Sequence, residues 1–458
     1  FCFVVAGFGL GYHLAALHRR LQGDSFLICT EPDVRMISTA LSSVDLSDLL
    51  SSGKFVLFLD DDKNALHAKL QPFGTLMMLG MQFVRHASSR AGGAGHEPIN
   101  RALTEFVTFT RMSLTTLMAN SLITCRNIAM NFNHYVSTPP IDHLRDRFAG
   151  SPAVVVSAGP SLSRNIDQLG GLKGRAVICA VQTAIRPLMA RGVVPDFITT
   201  LDFHEMSRKF FEEVGDLRQA HLIAEPKAAW RVLDEYPGPM SLLDNAWARL
   251  ILGDELGARG GLPAGATVAH LAFYLAVYLG CDPIIFVGQD LAFTGHVFYT
   301  PGVEIHRAWR SEINRFQSLE HKEWERIARN RPILRRVPGV NGETLYTDEL
   351  LFTYLEQFEK DVAASGRTVV NATQGGAVIR GMQCMTLREA ADRFCGNPID
   401  PARFARGESF GVTQNERLQQ AGREVQRRID ELENVVHVTD ELQQLLDELE
   451  KLVDDPDR

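Results

Sequence analysis

The sequence has few of the features that are typical of proteins that bind metal or nucleic acid or that span a membrane. Its seven cysteines are scattered over 458 residues without a C-x-x-C pair, which argues against zinc and favours reduced thiols. No long basic run is present and the net charge is −8, so nucleic acid is not an expected partner. The longest apolar stretch, 268–287, is interrupted by His270, Gly280, Asp282 and Pro283, which excludes a clean membrane span. We therefore expect a soluble protein of the cytoplasm.

The chain does have the composition of a globular protein, with 45% apolar and 22% charged residues. At 458 residues it exceeds what one hydrophobic core of about 250 to 300 residues usually holds. It opens in a strand-like run without an initial methionine, which leaves room for an upstream segment. We divide it into a smaller N-terminal α/β domain at 1–95, a helical linker at 96–150, a central domain at 151–395 and a C-terminal helical tail at 396–458.

Alternating strand and helix patterns set the predicted fold class. Runs of Val and Ile bounded by Gly and Pro indicate strands buried on both faces, as in a parallel sheet. The expected fold is α/β, with a Rossmann-like parallel sheet core, a smaller N-terminal α/β domain and a C-terminal helical region. The predicted strands lie at 25–30, 54–59, 153–157, 176–180, 197–201, 221–224 and 283–287.

Two helical regions flank this core. A small and polar stretch at 86–98 is typical of a flexible connection, and a long helix with several amides is predicted at about 99–136. The tail carries apolar residues at heptad-like spacing, which leaves open packing on the body or pairing with another copy. These residues are Leu432, Val435, Val438, Leu442, Leu445, Leu449 and Leu452.

The strongest motif is the segment Val-Val-Val-Ser-Ala-Gly-Pro-Ser-Leu at 154–162. A strand that ends in a Gly/Ser turn before a helix offers backbone N–H groups, hydroxyls and the positive end of the helix dipole to a phosphate. We predict that Ser157, Gly159 and Ser161 form such a cradle, since Gly159 lets a ligand approach the backbone. An ordinary strand-to-helix turn capped by Ser161 is the alternative.

Two further strands end in polar residues. The strand at 197–201 leads into Asp202 and His204, and the strand at 283–287 leads into Gly288, Gln289 and Asp290. The carboxyl ends of parallel strands form the ligand crevice, so these side chains should face the cleft of the Gly-Pro-Ser turn. Burial of an amide and a carboxylate is costly unless they are bonded. A solvated loop is the alternative for Asp202 and His204.

The loop that follows contains two residues able to exchange a proton, His296 and Tyr299. Sequence alone does not choose between them. Near the start of the chain, Gly7, Gly9 and Gly11 with Glu31 are similar to a dinucleotide fingerprint. Their G-x-G-x-G spacing departs from G-x-G-x-x-G, and we expect a structural α/β domain there.

In this order, the three strand ends resemble the central domain of the motility accessory factor glycosyltransferases, which is shared with archaeal 6-hydroxymethylpterin pyrophosphokinases. The resemblance lies in 157–162, in Leu201-Asp202 and in 268–292, where Gly-Gln-Asp-Leu-Ala is the most specific piece. The opening 9–13 and the segment 373–377 fit the same family.

The resemblance implies a sialyltransferase-like core that moves a nonulosonic acid from its CMP ester to Ser or Thr of flagellin or another surface protein. Magnesium and assembly through the C-terminal helices stay open. The predicted nucleotide-binding residues are Ser157, Gly159, Pro160, Ser161, Leu162 and Thr183. The predicted sugar-binding residues are Asp202, His204, Gly288 and Gln289, and the predicted catalytic residues are Asp290, His296 and Tyr299.

Two other functions use the same features. A pterin pyrophosphokinase would bind ATP at the turn and magnesium at Asp202 or Asp290. A non-catalytic module would bind flagellin through the helical tail.

Overall fold

The computed structural model describes residues 1–23, 25–60, 66, 69–87, 94–329, 334–404 and 414–453. The chain forms two compact units, Phe1–Leu122 and Ile123–Arg458. Their boundary falls inside the long helix Glu97–Met130, so the stretch predicted as a linker is divided between the units. That helix includes the last two residues of the flexible connection predicted at 86–98. Residues 88–93 of that connection lie outside the described residues.

The first unit is built on a four-stranded parallel sheet in the order β3-β2-β1-β4. Its strands are β1 (Cys2–Ala6), β2 (Phe26–Thr30), β3 (Phe55–Phe58) and β4 (Met81–Arg85), and its described helices are Tyr12–His18, Val34–Ser43, Ser47–Ser51, Gly74–Leu79 and the first part of Glu97–Met130. The two predicted strands of this unit that were given bounds are confirmed. β4 was missed because its side chains are largely exposed, so no buried apolar run marks it.

The glycine turn after β1 is held by a hydrogen bond to a carboxylate of the same unit. Glu31, which is buried, accepts hydrogen bonds from the backbone N–H of Phe8 at 2.9 Å and of Asp33 at 3.1 Å. Gly7, Gly9 and Gly11 all have positive φ, which explains their number in a short turn. This carboxylate stabilises the turn directly, and a purely structural role of the first unit stays a prediction.

The second unit contains an eight-stranded sheet in the order β14-β13-β10-β5-β6-β7-β8-β9, in which every pair is parallel. Its strands are β5 (Ala153–Val156), β6 (Val177–Val181), β7 (Phe197–Thr200), β8 (His221–Ala224), β9 (Met240–Leu242), β10 (Ile284–Val287), β13 (Val369–Asn371) and β14 (Gln383–Cys384). All five predicted central strands are confirmed. A separate antiparallel hairpin joins β11 (Arg335–Pro338) and β12 (Thr344–Thr347).

Helices cover this sheet and enclose the main core. The helix Val268–Tyr278 packs against β5, β6 and β7, and the Thr267 hydroxyl caps its first turn by accepting from the His270 N–H. The other described helices of the unit are Phe132–Ser137, Leu162–Asn165, Ile185–Met189, Trp230–Glu235, Ala246–Gly257, Glu304–Ala308, Leu319–Arg329, Glu349–Ser365 and Leu387–Phe394. The predicted α/β class, with its parallel core, is confirmed.

The C-terminal helix, Gln414–Val453, confirms the predicted helical region. Leu418, Ala421 and Val425 belong to or pack against a second hydrophobic cluster of the unit, which includes Tyr135 and Leu252. In contrast, Leu432 and Leu442 are more than half exposed. Of the helices that the structure describes, none is both long enough and apolar enough to cross a membrane.

Candidate functional site

The order of the large sheet reverses direction beside β5. From β5 the chain builds β6 to β9 on one side, and it then returns to place β10 on the other side. In open parallel sheets this topological switch point leaves a crevice at the carboxyl ends of the two central strands. The turns after β5 and β10 are the two polar motifs predicted from the sequence, and the fold brings them together there.

Direct hydrogen bonds join these two turns. The Ser157 hydroxyl donates to the Gln289 side-chain oxygen at 2.6 Å, and the Gly159 N–H donates to the Gly288 carbonyl at 2.8 Å. A Cβ atom at Gly159 would lie 2.1 Å from Oδ1 of Asp290, and a Cβ atom at Gly288 would lie 2.2 Å from the Ser157 carbonyl oxygen. Close backbone approach is therefore the reason for both glycines.

Asp290 is almost fully buried beneath the Gly-Pro-Ser turn. Its Oδ1 accepts from the Ser161 hydroxyl at 2.7 Å, and its carboxylate also accepts from the Ser161 N–H at 3.2 and 3.3 Å. Burial raises the pKa of Asp290 to about 6, and the Ser161 bonds and the charge of Arg164 only partly oppose this rise. The Asp290 carboxyl therefore changes its charge near neutral pH.

These contacts differ from what a phosphate cradle at this turn would require. The backbone N–H groups of Ser157, Gly159, Ser161 and Leu162 all donate to protein acceptors. Ser161 and Leu162 are also fully buried, whereas Gly159 is partly exposed. The expectation of free N–H groups is wrong for these four residues. That the turn contacts a nucleotide stays a prediction. It now depends on the rim of the turn, which is the partly exposed Gly159 and the adjacent Pro160.

The segment at 373–377 also contacts Asp290. The Ala377 N–H donates to the Asp290 carbonyl at 2.7 Å, and a Cβ atom at Gly376 would lie 2.4 Å from the Cα atom of Asp290. From the opposite side, the Arg164 guanidinium donates to the Gln374 carbonyl at 2.5 Å. The segment at 373–377 thus holds Asp290 in place, a role that its two glycines alone did not reveal.

Asp202 follows β7 and ends a hydrogen-bonded chain that starts at Thr200 on β7 and passes through Gln182, which comes directly after β6. The Thr200 hydroxyl donates to the Gln182 oxygen at 2.5 Å, and the Gln182 amide donates to Asp202. Burial raises the pKa of Asp202, while the charges of His204 and Lys227 act against that rise. Asp202 is partly exposed, so it is both positioned by the protein and open to a ligand.

Two asparagines support the loop that contains Asp202: Asn127 in the long helix and Asn131 directly after it. Asn127 donates to the carbonyls of Phe203 and Lys227 at 2.8 and 3.1 Å. Asn131 donates to the carbonyls of Pro226 and Ala228, both at 2.9 Å. The amides noticed in the sequence of this helix therefore satisfy buried backbone groups next to Asp202.

A cavity of about 300 Å³ lies at the rim of the Gly-Pro-Ser turn and is lined in part by Pro160, Arg164 and Tyr299. Burial raises the pKa of Tyr299, so its phenol stays protonated at neutral pH and can donate a hydrogen bond. Asp202 is close enough to Tyr299 for its charge to contribute to that rise. Thr183 is partly exposed in the turn after β6.

The two remaining predicted residues are His204 and His296, and His296 lies between Gly295 and Val297, which line this cavity. His296 and His204 are exposed, and His296 has a positive φ of 63°. Neither histidine lines the cavity. Their predicted roles would require a substrate that extends beyond the cavity over the neighbouring loops.

A buried histidine–glutamate pair in the cavity wall was missed. His306 Nε2 lies 2.7 Å from Oε1 of Glu323, and Oε2 of Glu323 accepts from the Phe298 N–H at 2.9 Å. Both residues line the cavity that Tyr299 also lines. They are 17 residues apart on separate helices, and no spacing rule links them in the sequence.

A larger cavity, of about 620 Å³, lies at the opposite edge of the sheet. It is lined by residues that precede or begin strands, among them Lys173, Phe197 and His221. The Lys173 amine is already bonded to the Val194 carbonyl and to Asp196. We place the candidate site at the smaller cavity because the polar turns of β5 and β10 converge there, at the edge where ligands of such sheets bind.

The carboxylates of the site are the candidates for binding a metal ion. Across the described residues, no group of three or more His, Cys, Asp or Glu side chains is placed to hold a metal ion. Both oxygens of Asp290 are engaged by Ser161, and Asp202 is bonded to Gln182. The protein therefore already occupies both oxygens of Asp290, and a requirement for magnesium stays a prediction.

Fold and site together define a parallel α/β protein with a ligand crevice at its switch point. Residues 126–296 match the family model described as 6-hydroxymethylpterin diphosphokinase MptE-like, so this part of the chain is similar to that family. This confirms the resemblance noted in the sequence.

The chain is also similar to individual proteins. A solved structure of the MAf glycosyltransferase from Magnetospirillum magneticum AMB-1 aligns with a TM-score of 0.56 and 16% identity, over 93% of this chain and 61% of that one. A protein of Treponema pallidum (strain Nichols), described as uncharacterized, is 24% identical over 203 residues, or 42% of this chain and 34% of that protein. The chain therefore spans only part of the length of both proteins, and the structural likeness shows a shared fold.

Proposed function

We propose that this protein is a glycosyltransferase that uses a nucleotide-activated sugar. The proposal is carried by the hydrogen-bonded contact between the turns after β5 and β10 at the switch point. Tyr299 lines the adjoining cavity, and Asp202 is close enough to influence the pKa of Tyr299. Sites of this kind bind nucleotides at the carboxyl ends of the central strands. The shared fold with a protein described as a MAf glycosyltransferase supports the same class of reaction.

The proposed reaction is a direct displacement at the anomeric carbon. The nucleotide would lie over the rim of the turn, near Gly159, Pro160 and Thr183, and the sugar would lie near Asp202. The Tyr299 phenol, which burial keeps protonated, would donate to the phosphate as negative charge develops on it. Asp290 and Gln289 then have the role of holding the two turns in register beneath the donor.

For the donor and acceptor we propose the classes that the resemblance implies. The donor is a CMP-activated nonulosonic acid, and the acceptor is a Ser or Thr hydroxyl of flagellin or another surface protein. The reaction would take place in the cytoplasm. Assembly through the exposed apolar side of the C-terminal helix is part of this proposal, because Leu432, Leu442 and Leu449 are each more than half exposed.

A pterin pyrophosphokinase is the second candidate, and the description of the matching family favours it. That reaction takes ATP with magnesium, yet the oxygens of Asp290 already accept bonds from Ser161. A magnesium ion would have to displace those bonds, so we derive no step through it. A non-catalytic flagellin-binding module is the third candidate.

Calorimetry distinguishes the three candidates. We would titrate the full chain with CMP, ATP and NAD, each with and without magnesium, and repeat the titrations on Tyr299→Phe and on Tyr236→Phe as a matched control. Tyr236 is a buried tyrosine outside the cavity, whose hydroxyl donates to the Ala220 carbonyl.

Binding of CMP without magnesium, weakened by Tyr299→Phe and not by the control, would support sugar transfer. Magnesium-dependent binding of ATP alone would support the pyrophosphokinase instead. If no nucleotide bound, the non-catalytic module would be favoured.

A further inference from the structure

The proposed transfer needs a base for the acceptor hydroxyl, and the buried pair His306–Glu323 has the properties of one. Glu323 is 1% exposed and His306 is 8% exposed. Burial of a carboxylate and an imidazole is unfavourable unless hydrogen bonds compensate for the lost water. Glu323 is fully compensated, because one oxygen pairs with His306 and the other accepts from the Phe298 N–H.

The pair defines which ring nitrogen carries the proton. An ionised carboxylate only accepts hydrogen bonds, so Nε2 of His306 is the protonated nitrogen of the neutral ring. Nδ1 is then the acceptor, and it is buried with no hydrogen-bond partner in the described part of the chain. An unpaired buried acceptor destabilises the folded protein. A pair that served only to join two helices would have no need of this cost.

The location of the pair links it to the candidate site. His306 and Glu323 line the cavity of about 300 Å³ that also borders Pro160 and Tyr299. His306 is carried by the short helix Glu304–Ala308, and Glu323 by the helix Leu319–Arg329. The His306 ring, whose Nδ1 is itself buried, therefore belongs to the wall of the cavity in which donor and acceptor would meet.

The other titratable groups around this cavity are less suited to accept a proton. Tyr299 is kept protonated because burial raises its pKa. Hydrogen bonds from its own backbone and from Ser318 lower the pKa of Glu320, which makes it a weaker base. Glu323 is committed to His306 and Phe298, and Arg164 is a cation. Asp290 is sealed beneath Ser161.

We infer that His306 is the general base of the proposed transfer and that Glu323 is its positioning residue, an inference that rests on the proposed function. In the step, the acceptor hydroxyl oxygen forms a bond to the anomeric carbon while its proton passes to Nδ1 of His306. The bond between that carbon and the phosphate oxygen breaks, and its electron pair leaves with the nucleotide. Glu323 holds the Nε2 proton and stabilises the imidazolium that forms.

The experiment compares His306→Ala with a matched control in the full chain. His134 forms a pair of the same type with Asp234, at 2.6 Å, outside the cavity. Release of nucleotide from a panel of CMP-, UDP- and GDP-linked sugars would be measured with a Ser/Thr-rich peptide as acceptor. Nucleotide binding would be measured by calorimetry, and each reaction would be repeated with added imidazole.

We expect His306→Ala to lower the transfer rate about 10²- to 10⁴-fold, the usual contribution of a general base, while nucleotide affinity stays within about twofold. Added imidazole should restore part of the transfer rate of His306→Ala. It should not change the transfer rate of His134→Ala. Glu323→Gln should lower the rate and alter its pH profile, because the amide cannot stabilise an imidazolium as a carboxylate does.

Three results would overturn the base role. The first is that His306→Ala transfers sugar at the wild-type rate. The second is that His306→Ala loses nucleotide binding together with transfer. The third is that His306→Ala loses only transfer and that added imidazole does not restore it. Absence of transfer by the wild-type protein with every donor would instead overturn the proposed function, and the inference with it.

Discussion

The buried carboxyl of Asp290 makes the stability of the protein depend on pH in a predictable way. Its pKa is raised from the ordinary value of 3.8 to about 6 by burial. Because the folded protein holds the proton more tightly than the unfolded chain, this group supports folding most at low pH. That support is fully present below about pH 4 and is lost as pH rises through 6. Asp290→Asn removes the titration while it keeps one acceptor for Ser161.

The size of the effect follows from the two pKa values. At about 1.4 kcal/mol for each pH unit, the rise from 3.8 to about 6 corresponds to about 3 kcal/mol. About 2 kcal/mol of this should appear between pH 4.5 and 7.5. Over that range, the free energy of unfolding of the wild type should fall relative to that of Asp290→Asn.

Urea unfolding at several pH values measures this difference. The exposed Asp392→Asn is the control for removal of one surface carboxylate. A wild-type curve parallel to that of Asp290→Asn would refute the reasoning, since it would show that Asp290 has the same pKa in the folded and unfolded chain.

Two further substitutions test the support of the site. Asn131→Ala should lower the free energy of unfolding by about 2–4 kcal/mol in urea melts, because it leaves two buried carbonyls without a donor. The exposed Asn133→Ala should change it by less than about 0.5 kcal/mol, and equal effects of the two changes would count against this role. Gly159→Ala should abolish nucleotide binding measured by calorimetry, because its Cβ would lie 2.1 Å from the Asp290 carboxylate. Gly396→Ala enters open space and should bind like wild type; unimpaired binding by Gly159→Ala would contradict the packing described.

The fold of the second unit could be read from the sequence because its central strands are buried on both faces. β5 and β10 are unbroken runs of Ala, Val, Ile and Phe followed by small or polar residues, a pattern that only a buried strand explains well. The parallel arrangement then placed Ser157 and Gln289 at one edge. β4, with its exposed side chains, and the two- and three-residue strands β14 and β13 carry no such pattern.

The details of the site depend on contacts that no local pattern encodes. The Gly-Pro-Ser turn looked open to phosphate, yet Asp290 reaches it from a position 129 residues away and takes the Ser161 donors. His306 and Glu323 lie in charged helical segments whose sequence is typical of a solvated surface. Their pairing becomes visible only when the two helices are placed side by side.

The central claim is that the donor nucleotide binds at the carboxyl edge of the large sheet, where β5 meets β10. Hydrogen–deuterium exchange of the full chain, with and without a CMP-activated nonulosonic acid, tests it directly. We predict slower exchange at residues 157–163 and 288–299. Protection confined to the opposite edge, around Lys173, Phe197 and His221, or no protection at all, would contradict the account.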